Sequence, residues 1–140
     1  MLYDLSNLKE KIKDLSITRT AHIWLDENEG IVMAIYTPGA EETLEDAEMN
    51  IAAVEKICKN KKRPIFIKGP HKSMTREARI CYTEKAPLFL SATAIISNSS
   101  FVKILGSFLL ALNKNINHDN FPIQFFKSEE EAFQWLRKYV

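Results

Sequence analysis

The sequence has few residues of the kinds that cross-link a chain or bend it sharply. Its 140 residues include 2 cysteines, 4 glycines and 5 prolines. Two cysteines without secretory features do not indicate a disulfide framework, and we expect Cys58 and Cys81 to be reduced and buried in helices. A domain of this length buries roughly 68–70% of the surface that its unfolded chain exposes, so a hydrophobic core suffices without a metal or a disulfide.

An excess of charge and a long apolar run are also lacking. The formal net charge is +1, and basic residues alternate with acidic ones, which argues against a nucleic-acid or anionic-membrane partner. The longest apolar stretch, Phe101–Leu112, is too short to span a bilayer and contains Lys103, so no transmembrane segment is predicted. The N-terminus, "MLYDLSNLKEKIKDL", has no apolar signal core. We therefore expect one cytoplasmic domain over residues 1–140.

Sequence motifs of catalysis and cofactor binding are not found. The chain has no Gly-x-Gly-x-x-Gly turn, no Gly-x-x-x-x-Gly-Lys loop and no Gly-x-Ser-x-Gly elbow. The three histidines, His22, His71 and His118, have no partner at a spacing typical of metal ligands. The sequence therefore predicts a non-enzymatic protein without a metal or a cofactor.

The first half of the chain predicts a short helix, a hairpin and a long helix. Residues 1–16 form a helical lead-in, with the helix itself over Ser6–Lys13. Two alternating segments flank the turn Asn28–Gly30 and predict a β-hairpin. Apolar residues then recur at helical spacing from Leu44, and Thr43 is the expected N-cap.

The second half predicts alternating strands and helices. We expect strands at "PIFIK", "PLFLSATAIIS" (Pro87–Ser97) and "PIQFFKS" (Pro122–Ser128), separated by helices over "SMTREARICYTE" and "SSFVKILGSFLLALNK". Ser128 and Glu131 form a capping box for a last helix. A hairpin followed by strand–helix units implies an α/β fold with a mixed, largely parallel sheet of about five strands and helices packed against it.

One candidate site is the segment "KGPHKSMTREAR", which joins a predicted strand to a predicted helix. Backbone N–H groups at such a junction can hold an anion, so His71, Ser73, Thr75 and Arg76 are candidates for an anion-binding or phosphorylated loop. Two other interpretations stay open: a loop that docks a protein partner, or a plain helix start in which Ser73 is only the N-cap.

A second candidate is the predicted helix over Phe101–Leu112, which has apolar residues on nearly every side. Such a helix needs cover in several directions. A self-association surface, an apolar ligand pocket beside the strand Leu88–Ile96 and simple burial all stay open. The residues concerned are Phe101, Ile104, Leu105, Phe108, Leu109 and Leu112.

The order of elements resembles the STAS domain, the fold of the bacterial anti-sigma factor antagonists (SpoIIAA-like). The resemblance rests on "RPIFIKGPHKSMTREAR", "ATAIISNSSFVKILGSFLLALNK", "PIQFFKSEEEAFQWL" and "AEMNIAAVEKICKNKKRP". These segments cover most of the chain from about Ala47 to Leu136. They are similar above all to a bacterial STAS/SEC14-like subgroup of unknown function.

The resemblance implies a regulatory module that binds other proteins, with a kinase or an anti-sigma-like protein as partner, and the apolar helix over Phe101–Leu112 adds the expectation of a homodimer. In antagonists of this fold a serine in the loop before the second main helix is phosphorylated, and Ser73 or Thr75 stands nearest to that position. The motif itself differs, because no acidic residue precedes Ser73 and no glycine follows it. The SEC14-like comparison implies instead a carrier of a small apolar or lipid-like ligand.

Overall fold

The structure of the protein, a computed structural model, describes residues 12–69, 71–96 and 121–140. Its strands are β1 (Ser16–Ile17), β2 (Ala21–Asp26), β3 (Ile31–Tyr36), β4 (Ala40–Glu42), β5 (Arg63–Lys68), β6 (His71–Met74), β7 (Leu90–Ile96) and β8 (Ile123–Phe126). Its helices are α1 (Leu44–Cys58), α2 (Arg76–Phe89) and α3 (Glu129–Leu136), the last continued by a 3₁₀ turn over Arg137–Tyr139.

Six of the described strands form one sheet in the order β1-β2-β3-β5-β7-β8. The first three strands pair antiparallel, and β3, β5, β7 and β8 pair parallel to one another. This arrangement confirms the predicted α/β class and the mixed, largely parallel sheet, with one strand more than expected. The hairpin is confirmed as well, and Gly30 in its turn has a φ of 72°, a conformation that favours glycine.

The two faces of the sheet are covered by different helices. On one face, Ile23, Val32 and Ile65 pack with Val54 and Cys58 of α1. On the other face, Met33 and Phe66 pack with Ala132 and Leu136 of α3. The rings of Phe66 and Phe133 are stacked, with centroids 4.7 Å apart. Burial of the central strands on both faces explains why β5 reads as a continuous apolar run.

Helix α1 has the start that the sequence predicts. The Thr43 hydroxyl accepts a hydrogen bond from the backbone N–H of Asp46, and the Asp46 carboxylate accepts one from the N–H of Thr43, which completes a capping box. Its C-cap is Lys59, in the left-handed conformation with a φ of 48°. Ser128 caps α3 as predicted, since its hydroxyl accepts from the N–H of Glu131 at 3.4 Å.

The boundary between α2 and β7 differs from the prediction. The expected strand Pro87–Ser97 begins only at Leu90, because α2 continues to Phe89 and includes Pro87. Because proline has no N–H, Pro87 cannot donate a backbone hydrogen bond to the carbonyl of Thr83, four residues earlier in the helix. The side chain of Leu88 is 63% exposed, as expected for a residue at a helix end and not in a central strand.

Several predictions concern residues that the structure does not describe. The N-terminal helix over Ser6–Lys13 lies outside the described residues except for its last two positions. The apolar helix over Phe101–Leu112 lies outside them altogether, as does His118.

Two other sequence expectations can be compared with the described part of the chain. Both Cys58 and Cys81 are buried free thiols, and burial raises the pKa of each above its ordinary value. None of the described helices combines the length and the apolar character that a membrane crossing requires.

Candidate functional site

Three helices begin at the same edge of the sheet. This edge holds the carboxyl ends of the parallel strands β3, β5 and β8, and α1, α2 and α3 follow it in the chain. An ion pair joins the end of β5 to the start of α3 at this edge, and in it the Lys68 ammonium donates to the Glu129 carboxylate at 2.5 Å. Ligands of open α/β sheets bind at such an edge, which makes it the first place to look for a site.

The segment predicted as a loop, residues 69–75, contains a strand. Residues His71–Met74 form β6, which pairs parallel with β4 in a separate two-stranded sheet. In this register Ser73 lies beside Glu41, and both residues are exposed. His71 pairs with Ala40 through its backbone, while its side chain lies outside what the structure describes. The prediction of an irregular loop was wrong because β4 supplies backbone partners that the sequence pattern did not reveal.

The N-cap of α2 is Thr75 and not Ser73. The Thr75 hydroxyl accepts a hydrogen bond from the backbone N–H of Ala78 at 3.1 Å, so the expectation that Ser73 caps this helix was wrong. Arg76 is the first residue of α2 and is exposed. The four predicted residues thus lie along one continuous segment. Of the three whose side chains the structure describes, Ser73 and Arg76 are exposed and are not needed as the cap.

Arg19 joins this exposed edge to the start of α1. Its guanidinium forms an ion pair with Asp46 and also donates to the backbone oxygen of Glu41 at 2.5 Å. The hydrogen bonds and the charge of Arg19 lower the pKa of Asp46 to about 2, and the hydrogen bonds from Thr43 act in the same direction. We define the carboxyl-edge face by the exposed residues of this region: Arg19, Glu41, Ser73, Thr75 and Arg76.

A buried polar cluster lies directly beneath the carboxyl-edge face. Its centre is Glu42, whose side chain is turned inward, leaving the residue 1% exposed. One carboxylate oxygen, Oε1, accepts hydrogen bonds from Thr20, Asn50 and Tyr82, each at 3.0 Å. Asn50 also donates to the hydroxyl of Tyr82 at 2.9 Å, so the members hold one another in place.

Burial dominates the electrostatics of this cluster. It raises the pKa of Glu42 to about 7, although the hydrogen bonds from Thr20 and Tyr82 oppose the shift. Burial also raises the pKa of Tyr36 and Tyr82 well above the ordinary value, so both phenols stay neutral. Glu42 is therefore the member of the cluster that can change its charge near neutral pH.

An apolar cavity of about 90 Å³ adjoins the cluster, on the face of the sheet that α1 and α2 cover. The residues with polar groups in its lining are Tyr36, Asn50, Tyr82, Thr83 and Thr93. Most of the remaining wall is aliphatic and comes from the sheet and the two helices: Ile23, Ala34, Ile51, Val54, Ile65 and Ala86. A cavity with an apolar wall and a few convergent polar groups is the usual form of a small-molecule site.

The sequence indicated the edge of the sheet but missed the cluster beneath it. Asn50 lies between Ala47 and Val54 on the buried side of α1, so a polar residue at an apolar position was a signal that could have found it. Nothing in the sequence indicates that Glu42 is buried. An acidic residue just before a helix normally faces solvent, where its charge interacts favourably with the helix dipole. Among the described residues, no three His, Cys, Asp or Glu side chains are grouped so that they could hold a metal ion.

Comparisons with known proteins support the fold. Residues 23–140 match the model of a family described as a domain of unknown function, DUF7793. A crystal structure of an uncharacterized protein of the DUF3478 family from Shewanella loihica PV-4, described as having a SpoIIAA-like fold, is similar with a TM-score of 0.58 and 14% sequence identity. The similarity covers 86% of this chain and 98% of that one. No curated protein matches the sequence. The resemblance to the STAS fold is thereby confirmed.

Proposed function

We propose that this chain, which belongs to the DUF7793 family, is a non-enzymatic regulatory module of the cytoplasm that binds a protein partner through the carboxyl-edge face. The observation that carries the proposal is the arrangement of Ser73, Glu41 and Arg76. Glu41 and Ser73 are exposed on a short two-stranded sheet, and Arg76 is exposed at the start of α2, which follows that sheet in the chain. Exposed side chains of both charges suit recognition of a protein surface.

The same arrangement makes Ser73 the better candidate for a regulatory phosphate. The Thr75 hydroxyl already caps α2, whereas Ser73 lies exposed in β6. A phosphate on Ser73 would add a charge of about −2 beside Glu41, which repels it, and near Arg76, which attracts it. A partner that recognises this mixture of charges would bind the two forms with different affinity.

Site-specific photo-cross-linking in the host cell tests the interaction. A photoreactive amino acid is placed at Ser73 in one variant and, as a matched control, at Lys61, an exposed residue just after α1 and away from the carboxyl-edge face. We expect one discrete adduct from position 73, reduced by Arg76→Glu, and no such adduct from position 61. Equal cross-linking from both positions, or none from position 73, would contradict the proposal.

The homodimer is expected from the apolar character of the segment Phe101–Leu112. This segment lies outside the described residues, so the homodimer stays a prediction. Sedimentation analysis at high protein concentration tests it, since a purely monomeric protein would exclude it. Mass spectrometry of the protein recovered from its host tests phosphorylation at Ser73 and Thr75 separately.

A second candidate function is favoured by the cavity beside Tyr82. This function is the carriage of a small apolar ligand, and the cavity lies where the strand β7 meets α1 and α2. Its volume of about 90 Å³ is below the roughly 300 Å³ at which pockets for drug-sized molecules begin, so the described walls suit a much smaller ligand than a lipid. Thermal unfolding in the presence of small apolar molecules tests this function, since a bound ligand raises the unfolding temperature.

A further inference from the structure

The two-stranded sheet of β4 and β6 has one exposed face and one buried face. Glu41 and Ser73 are opposite each other in its register, and both are exposed. The next pair, Glu42 and Met74, is buried, with 1% and 8% of each residue exposed. Successive side chains of a strand point to opposite faces, so Glu42 and Met74 lie on the inner side of the sheet, beneath the carboxyl-edge face.

The buried pair attaches this sheet to both helices beneath it. Met74 packs with buried residues of α1 and α2, namely Ala47, Ile51, Ala78 and Cys81. Glu42 accepts hydrogen bonds from Asn50 of α1 and Tyr82 of α2, each at 3.0 Å. Strand β4 is only 3 residues long, and among the described strands it pairs with β6 alone. An element with so few contacts opens at a lower free energy than the centre of the six-stranded sheet.

The proton on Glu42 decides how strongly the sheet is attached. Burial raises the pKa of Glu42 to about 7, so the buried carboxyl group holds its proton up to a pH at which an exposed one has lost it. Asp46 repels a negative charge on Glu42 and Arg19 attracts it, and both residues keep their own charge near neutral pH. The phenols of Tyr36 and Tyr82 stay neutral. Loss of the proton therefore favours the conformation in which water reaches the carboxylate.

We propose that the carboxyl-edge face is sensitive to pH through Glu42: when this side chain loses its proton, the sheet of β4 and β6 opens away from α1 and α2. Ser73 moves with Glu42 because β6 pairs with β4, and the backbone hydrogen bond from Thr75 to Glu42 extends the movement to the N-cap of α2. A partner of this face would consequently bind more weakly above neutral pH. That consequence rests on the proposed function, whereas the opening itself does not.

Oxidation of methionine side chains by hydrogen peroxide measures the opening. Met74 is buried beneath the sheet and becomes accessible when the sheet opens, Met33 is fully buried in β3, and Met49 of α1 is 60% exposed. Peptide mass spectrometry of the full chain follows the three rates at pH 6 and pH 8. With a pKa of about 7 in the closed state and 4.5 in the open one, the rate at Met74 should rise about tenfold. The rate at Met49 should not change, and Met33 should be slower than Met74 at both pH values.

Two variants assign the rise to one side chain. Glu42→Gln cannot ionise, so its Met74 should be oxidised at the same rate at both pH values. His71→Gln is the matched control, because His71 lies in β6 and histidine ordinarily titrates close to neutral pH. This variant should keep the rise. Should Glu42→Gln fail to fold, a carbon-13 titration of the Glu42 carboxyl group in the wild-type protein replaces it, since its midpoint must coincide with that of the Met74 rate.

Each outcome either supports the opening or overturns it. A rise of about tenfold at Met74 that is lost in Glu42→Gln and kept in His71→Gln supports it. A constant rate in the wild-type protein, a rise that persists in Glu42→Gln, or equal rates at Met74 and Met33 overturns it.

The proposed function is tested separately by the cross-linked adduct from position 73. Absence of the adduct, with the expected rise at Met74, contradicts that function and leaves the opening supported. Presence of the adduct, with a constant rate at Met74, overturns the opening and leaves the function standing.

Discussion

The backbone N–H of Thr75 donates to the backbone oxygen of Glu42 at 3.0 Å. This hydrogen bond joins the N-cap of α2 to the last residue of β4. The side chain of this same Glu42 lies in the interior, where three donors surround it. One residue thus contacts both the carboxyl-edge face and the buried cluster. Its charge state is consequently the first property to test.

Stability should fall between pH 5 and pH 7 because of Glu42. Its pKa is about 7 in the folded protein and 4.5 in the unfolded one, so between these values the folded protein holds a proton that the unfolded chain has released. The contribution is full below pH 4.5, declines as pH rises and is lost above 7. The difference between these two pKa values corresponds to roughly 3 kcal/mol.

Glu42→Gln should remove most of this dependence. Urea unfolding of both proteins from pH 5 to pH 8 measures it, and the variant should gain relative stability towards pH 8. Asp46 and Arg19 stay charged in this range, and the two tyrosines of the cluster stay neutral, so they add no comparable slope. Equal slopes for the two proteins would show that Glu42 does not titrate there.

Thr75→Ala should be more harmful to stability than Ser73→Ala. The first change removes the N-cap of α2 and should lower the free energy of unfolding by about 1 kcal/mol. The second removes an exposed hydroxyl and should cost less than about 0.5 kcal/mol. Chemical denaturation compares the pair, and the opposite order would mean that Ser73 is the cap after all.

Asp46→Ala should destabilise the protein more than Arg19→Ala. Asp46 accepts from the backbone of Thr43 and from Arg19, so its loss breaks the capping box as well as the ion pair, at a cost of about 2 kcal/mol. The Arg19 side chain is 62% exposed, so solvent screening should make the loss of its charge less costly than the loss of Asp46. A double-mutant cycle at low and high salt measures the coupling, which should weaken with salt.

Gly69→Ala should be costly because of Tyr36. A Cβ atom at residue 69 would lie 2.7 Å from the Cβ of Tyr36, and relief of this clash should cost about 2–3 kcal/mol. Gly39 has a φ of 76° with no atom within 4 Å of such a Cβ, so Gly39→Ala is a control for backbone strain alone, at about 1 kcal/mol. Similar losses in both variants would argue against the close contact. Thermal unfolding of the two variants decides the point.

The sequence predicted those elements whose signals are local. The turn at Gly30, the cap at Thr43 and the cap at Ser128 are each determined by residues within a few positions, and all three are confirmed. The periodicity of apolar residues within each segment also predicted the alternating strands and helices, and this alternation implies a parallel sheet.

The errors concern residues whose partners are distant in sequence. Residues 71–74 form a strand only because β4, some thirty residues earlier, pairs with them. The inward direction of Glu42 depends on Tyr82, which is 40 positions away. Pro87 is a different case, since the predicted strand begins at this residue although α2 continues to Phe89.

The packing of α3 has a consequence for synthesis of the protein on the ribosome. Ala132 and Leu136 are fully buried against the central strands, and Phe133 stacks on Phe66 of β5. Until residue 136 has left the exit tunnel, this face of β5 and β7 lacks the cover that α3 provides. While α3 is still inside the tunnel, this uncovered apolar sheet face is therefore a surface that favours aggregation.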